Sequence, residues 1–249
     1  MPMVLSGIFT EGFLPSLVKN NGGSGASLAI VIAGILLCLA VGYLCGSFNF
    51  GLIISKKMYG DDVRKHGSGN AGSTNMMRTY GGKAAGLTLL GDALKAVVAV
   101  LLGGLIMGVT LGGYAAALGC VLGHVFPVFY GFRGGKGVAT AAAAILVLNP
   151  FVFLVVIAVF LLVVIFTRFV SLGSVLAAAI FPLLTFYTLF SHAPVPVGSG
   201  FAFFCSFAMA LTVILKHHEN LSRLAHGNES KFSFKKSKKS ADQAEKPEK

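Results

Sequence analysis

The chain has 249 residues, of which 55% are hydrophobic and 12% charged, with a net charge of +11 and a mean hydropathy of +0.81. That composition excludes a water-soluble globular domain and points to a protein that crosses the bilayer several times. The positive charge lies mainly in connections and at the C-terminus, so it reads first as topology and not as a nucleic-acid footprint.

Residues 1–26 have no basic n-region, and Glu11, Pro15 and Lys19 break their apolar runs. They read as an extracytoplasmic lead-in and not as a signal peptide. Seven apolar segments follow, at 27–54, 84–109, 112–130, 138–148, 151–167, 172–190 and 201–216. The first carries a polar interruption, GSFNFG, at 46–51. The fourth is short of the roughly 20 residues that a spanning helix needs. The expected fold class is an all-α integral membrane protein of about seven transmembrane helices. Cys38, Cys45, Cys120 and Cys205 all fall inside apolar segments and read as buried free thiols.

Basic residues set the expected orientation. The connection 55–83 holds Lys56, Lys57, Arg64, Lys65, Arg78 and Lys83, the third connection Arg133 and Lys136, and the fifth Arg168. The alternate connections hold none. The positive-inside rule then places the N-terminus outside and the C-terminus in the cytoplasm. Residues 27–230 read as one membrane domain, and 231–249 as a basic, disordered tail whose lysines can meet anionic lipid.

Three polar stretches fall on the expected cytoplasmic face. GSGNAGSTNMMR, at 67–78, mixes three glycines with small polar side chains and one arginine. Ser68, Asn70, Thr74 and Asn75 offer hydrogen bonds, and Arg78 a forked cation suited to phosphate. FRGGKGVAT, at 132–140, sets Gly134, Gly135, Lys136 and Gly137 before a helix, where N–H groups, dipole and ammonium favour an anion. It lacks the Walker spacing. KHHENLSRLAHGNE, at 216–229, places His217 and Asn220 on one helical face, with Glu229 free to pair with arginines; taken alone it equally describes a juxtamembrane amphipathic helix. Within the spans, Asp92 and Lys95 stand at i and i+3 and read as a structural pair. His124 reads as hydrogen-bonded to a neighbouring helix. No cluster with metal-ligand spacing occurs.

GSFNFG, GSGNAGSTNMMRTYGG, LGDALKAVVA, LGHVFPVFYGFRGGKGVAT, TRFVSLGS and HHENLSRLAHGNE follow one another in an order that resembles the bacterial membrane glycerol-3-phosphate acyltransferases that use acyl phosphate. The resemblance runs from about residue 39 to 232. It implies a multi-pass protein of the bacterial inner membrane with its active site facing the cytoplasm. It implies transfer of a fatty acyl group to the sn-1 hydroxyl of glycerol 3-phosphate, giving lysophosphatidate and phosphate, the first acylation of phospholipid synthesis. The implied partners are glycerol 3-phosphate, a long-chain acyl phosphate and membrane lipid, with no cofactor and no metal; a monomer would suffice.

Carried over by motif, the catalytic residues are Ser68, Arg78, His217 and Asn220. The phosphate-binding residues are Asn70, Thr74, Asn75, Gly134, Gly135, Lys136 and Gly137, with Asp92, His124 and Glu229 in secondary roles. Asn49, Ser73, Gly91, Ala96 and Arg133 depart from the family pattern without removing a polar group. The alternative is a transporter for an organic phosphate, which would need polar groups at the bilayer midplane and often shows repeated halves. Neither is evident in the sequence.

Overall fold

The computed structural model describes residues 12–15, 28–191 and 193–232. The expected lead-in, 1–26, lies outside the described residues except at 12–15, and the expected tail, 231–249, lies outside them beyond residue 232. Among the described residues every regular element is helical.

The segment expected as one span at 27–54 is broken. Helix α1 (Leu28–Ser47) stops and α2 (Phe50–Tyr59) restarts after Asn49. The Asn49 side-chain oxygen accepts from the Leu52 N–H at 3.2 Å. An asparagine cap of this kind starts a helix by satisfying one of its orphan donors. Helix α3 (Ser73–Tyr80) and the long α4 (Gly82–Met107) follow, divided at Gly81 with φ 89°. A π turn at Val109–Gly113 leads into α5 (Tyr114–Val125).

Helices α1 and α5 meet along glycines. A Cβ on Gly42 or Gly46 would strike the backbone of Ala116 or Cys120, and one on Gly119 or Gly123 would strike the carbonyls of Leu39 or Tyr43. Small residues spaced by four on both helices let the two backbones touch, which is how helices associate where lipid removes the hydrophobic drive. This seam sets the C-terminal end of α1 beside that of α5.

The break after α1 is held by a buried charge. The Lys95 ammonium, on α4, donates to the carbonyls of Gly46 at 3.0 Å and Phe48 at 2.9 Å, and lies 2.9 Å from His124 Nδ1 and 2.8 Å from Asp92 Oδ1. Asp92 also accepts, at 3.4 Å, from the N–H of Phe50 at the start of α2. The expected Asp92–Lys95 pair is therefore present, and it does more than neutralise itself. It satisfies carbonyls that the end of α1 leaves unpaired, and it joins His124 to the same knot. His124 Nδ1 also lies 3.4 Å from Asp92 Oδ1, so the ring sits between the lysine and the carboxylate.

Helix α6 (Val138–Leu148) has 11 residues, and α7 (Pro150–Thr167) starts at once behind an Asn149 cap. Helices α8 (Val170–Phe190) and α9 (Ser199–Leu215) complete the bundle, and α10 (His218–Ala225) turns away from α9 by 51°. Among the described residues, five stretches are long and apolar enough to cross a bilayer, or six if α9 and α10 count as one bent span. Helix α6 falls well short of the roughly 20 residues a span needs. The apolar core runs through Val100, Val121, Ile145, Val152, Phe181 and Met209, where helices α4 to α9 meet.

Candidate active site

The first polar stretch is built around Asn75. Its side-chain amide donates to the carbonyls of Val63 at 3.1 Å, His66 at 3.0 Å and Asn70 at 2.9 Å, and its oxygen accepts from the Ser68 N–H at 3.0 Å. Asn75 is 2% exposed. Both amide hydrogens of the side chain are thus spent inside the loop. The Asn70 oxygen accepts from the Gly72 N–H at 3.0 Å, an Asx turn. Gly67 and Gly69 have φ 56° and 67°, so the chain folds back over Asn75 and leaves Ser68 exposed at the tip.

The second stretch leaves α5 through Pro127 and a 3₁₀ turn at Val128–Tyr130. The N–H groups of Gly134 and Gly135 donate to the carbonyls of Val125 and His124, each at 3.1 Å. Both were expected to face an anion, and both instead bind the loop to the end of α5. The N–H groups of Lys136 and Gly137 find no acceptor among the described residues, and they open the first turn of α6. Gly135 is seated on the His124 ring: a Cβ there would collide with Nε2.

The third stretch is organised by Glu229. Its carboxylate accepts from Ser171 Oγ at 2.8 Å, Asn220 Nδ2 at 2.7 Å and Arg223 Nε at 2.9 Å. Against the upward push of burial, these donors hold the carboxyl below its ordinary value. Asn220, oriented by Glu229, accepts from the Lys136 ammonium. The second and third stretches therefore touch, through residues 84 positions apart. Burial, helped by the Arg223 charge, lowers the Lys136 ammonium to about 8. His217 is 3% exposed. Its Nδ1 donates to the Val213 carbonyl at 2.7 Å, which leaves Nε2 as an acceptor, and burial pushes the ring down to about 4.

A cavity of about 810 Å³ opens where the three stretches converge. Ser68, Asn70, Gly134 and Lys136 line it. Six cations (Arg64, Lys65, Arg133, Lys136, Lys216 and Arg223) face two carboxylates, Asp62 and Glu219. The balance suits ligands with several negative charges. Among the expected site residues, Arg78, Thr74, Asn75, Gly135, Gly137, His217, Asn220 and Glu229 lie outside the lining, His217 and Asn220 being buried behind it. Arg78 is exposed in the last turn of α3, close enough for its charge to act on Lys136. Asp92 and His124 lie behind Gly135 and outside the cavity wall.

Sequence reading counted Arg64, Lys65 and Lys216 as topology charges only, and it gave no part to Asp62 or to Ser171. For Asp62 and Arg64 a local signal was there: a carboxylate and a guanidinium two positions apart, directly before the glycine-rich stretch.

A family model described as glycerol-3-phosphate acyltransferase matches residues 36–227. A glycerol-3-phosphate acyltransferase of Trichlorobacter lovleyi is 45% identical over 197 residues, 79% of this chain and 97% of that protein. One from Clostridioides difficile is 40% identical over 210 residues, 82% of this chain and 98% of the relative. The crystal structure of PlsY (YgiH), an integral membrane glycerol 3-phosphate acyltransferase in its glycerol 3-phosphate form, superposes with a TM-score of 0.69 at 36% identity, over 80% of this chain and 96% of that one. Its lysophosphatidic acid form gives 0.66 at 35% identity, with the same coverage. With the family model matched over residues 36–227 and relatives of 40–45% identity covered almost end to end, this chain belongs to the glycerol-3-phosphate acyltransferase family.

Proposed function

We propose that this protein transfers a fatty acyl group from acyl phosphate to the sn-1 hydroxyl of glycerol 3-phosphate, releasing lysophosphatidate and inorganic phosphate. The observation that carries the reading is the meeting of Ser68 and Lys136 at one cation-lined cavity, with Lys136 held from behind by the Glu229-oriented Asn220. Both substrates bear a phosphate, and the cavity is large enough and positive enough for two.

In this reading the Lys136 ammonium, the free N–H groups at the start of α6 and the Arg133 and Arg223 guanidinium groups hold the two phosphates. The hydroxyl oxygen attacks the acyl carbonyl carbon, the bond from that carbon to the phosphate oxygen breaks, and phosphate leaves. Fixing two reactants at attack distance supplies much of the rate, of the order of 7–11 kcal/mol at best. Donors aimed at the developing oxyanion supply more. Ser68, exposed at the loop tip, contributes a hydrogen bond and not a covalent acyl-enzyme, because no base lies in contact with its hydroxyl. A His217 ring held near 4 is a weak proton acceptor. The hydroxyl proton therefore ends on a phosphate oxygen, and the buried His217 ring stays neutral. Asn75 shapes the loop and does not touch phosphate, and Glu229 and Asn220 aim Lys136.

The same reading places residues 27–230 in a bacterial inner membrane as a catalytic domain of seven helices. The N-terminus is outside, and the cavity opens to the cytoplasm, where glycerol 3-phosphate is dissolved. The charge asymmetry of the connections supports it. It needs α6 to serve as a short span.

The test offers purified protein labelled glycerol 3-phosphate with palmitoyl phosphate, palmitoyl-CoA or palmitoyl carrier protein. Product with acyl phosphate alone is expected. Product with a thioester alone overturns the donor assignment, and label trapped on Ser68 overturns direct attack.

A further inference from the structure

Arg64 is the cation in the cavity wall whose donors are most fully committed to protein acceptors. Its Nε lies 3.0 and 3.2 Å from the two oxygens of Asp62, and its Nη2 lies 2.7 Å from Asp62 Oδ2. Its Nη1 donates to the carbonyls of Tyr130 and Arg133, both at 2.9 Å. Four of the five guanidinium N–H groups are therefore used. Asp62 is in turn fixed as the cap of the 3₁₀ turn Val63–Lys65, accepting from the Arg64 N–H at 3.0 Å. That turn carries the Val63 and His66 carbonyls on which Asn75 hangs the first polar stretch. The Tyr130 and Arg133 carbonyls flank the entry to the second. One guanidinium thus spans the two stretches, 66 and 69 positions apart in sequence.

We infer that Arg64, aimed by Asp62, is a positioning residue that fixes the distance and register between the Ser68 loop and the Lys136 loop. The inference rests on the reading of the cavity as the acyl-transfer site, and it assigns to Arg64 neither substrate contact nor chemistry. The physical case is one of geometry. Each loop is internally braced, the first by Asn75 and the second by the end of α5, so each can hold its own phosphate without help. Nothing else in the described hydrogen-bond network ties the first loop directly to the second. If each loop positions one reacting group, then Arg64 sets the gap across which the hydroxyl meets the carbonyl. A gap wrong by about 1 Å costs roughly 100-fold in rate while leaving binding almost intact. A lysine cannot replace the planar fork, because it is a point charge with three donors and no fixed plane.

The experiment compares steady-state kinetics of wild type, Arg64→Lys, Arg64→Ala and Asp62→Asn in detergent, with thermal melting of each variant in the same buffer. Positioning predicts that Arg64→Lys lowers kcat roughly 10- to 100-fold with KM for glycerol 3-phosphate within about threefold of wild type. Asp62→Asn lowers kcat in the same direction, because the fork loses its anchor. Direct phosphate binding by Arg64 predicts the reverse split: Arg64→Lys raises KM with kcat retained, and Asp62→Asn lowers KM by releasing a cation. Either result overturns the proposal. So does an Arg64→Lys enzyme of wild-type kcat, or an activity loss that tracks the fraction unfolded. A wild-type enzyme inactive with every acyl donor would refute the functional reading instead, so the two failures are separable.

Discussion

The Lys136 ammonium donates to the side-chain oxygen of Asn220, and Asn220 donates onward to Glu229 at 2.7 Å. The cation at the centre of the cavity is therefore not a free surface lysine. A carboxylate two steps away orients it, while burial lowers its proton affinity to about 8.

That value sets the alkaline behaviour of the enzyme. Below pH 8 Lys136 is protonated and can hold phosphate; above it the charge is lost. We expect kcat/KM for the phosphate substrates to be level on the acid side of 8 and to fall above it. In the substrate complex a bound phosphate favours the ammonium, so the fall in kcat comes at higher pH. Lys136→Arg, always charged, removes the fall near 8. Initial rates from pH 6 to 10 at subsaturating and saturating substrate check both statements.

His217 behaves in the opposite sense. Burial keeps its ring neutral, with a midpoint near 4, so its state does not change between pH 5 and 8. In NMR spectra of detergent-solubilised protein, the His217 ring signal is expected to stay fixed over that range, and the ring to titrate only near pH 4. A His217 midpoint near 6.5 would remove the reason for sending the hydroxyl proton to phosphate.

Glu229 is the anchor of the third stretch, with Ser171, Asn220 and Arg223 all donating to it. Its side chain is 6% exposed. Glu229→Ala leaves the Asn220 amide and the Ser171 hydroxyl without an acceptor in a site that water reaches poorly. The loss is about 1.5–3 kcal/mol, the range for hydrogen bonds to a charged group. We expect a lower melting temperature together with a raised KM, because Asn220 no longer aims Lys136. Glu229→Gln keeps the shape and one acceptor and should recover most of the melting temperature but less of the KM.

The helical membrane class and the three polar stretches could be read from the sequence because apolar length and glycine–polar clusters are local signals. Their convergence follows from the seam of Gly42 and Gly46 against Gly119 and Gly123, which a glycine count suggests and does not locate. The break at Asn49 was hidden in the polar interruption GSFNFG: a capping asparagine and a lysine 46 positions later decide it, and a hydropathy window averages over both. Roles inside the site were least legible. Asn75 and Arg64 look alike in sequence as polar groups near a glycine loop, yet one fills the loop and the other ties it to its neighbour. Gly134 and Gly135 resemble a phosphate cradle, but their N–H groups are spent on α5. Which acceptor a backbone N–H meets is not encoded in residue type.

Gly135 tests this packing directly. A Cβ there would meet the His124 ring, which is 3% exposed and held by Lys95 at 2.9 Å, so the ring has no room to yield. Gly135→Ala should push the second loop off α5 and lower kcat/KM by roughly 100-fold, the cost of a displacement near 1 Å. Gly86, in α4 with open space around its Cα, is the control. Gly86→Ala leaves activity unchanged and adds about 1 kcal/mol of stability through helix propensity. Parallel rate and melting measurements on the two variants separate loop displacement from a general intolerance of added methyl groups.

Lys95 and Asp92 form the deepest test of how the site is supported. Their side chains are 5% and 2% exposed, and they carry the break between α1 and α2 as well as His124. Removing one partner strands a buried charge, at a cost of about 3–5 kcal/mol. Lys95→Met should therefore lower the melting temperature sharply and free the Gly46 and Phe48 carbonyls. Asp92→Asn leaves the ammonium its two carbonyls and His124, so it should cost less. In the double variant no unpaired charge remains, and the sum of the single losses should exceed the double loss by more than 1 kcal/mol. Denaturation of all four proteins as a double-mutant cycle measures that coupling. Additive losses would mean that the aspartate and lysine support the fold independently, with Lys95 acting on the α1 carbonyls alone.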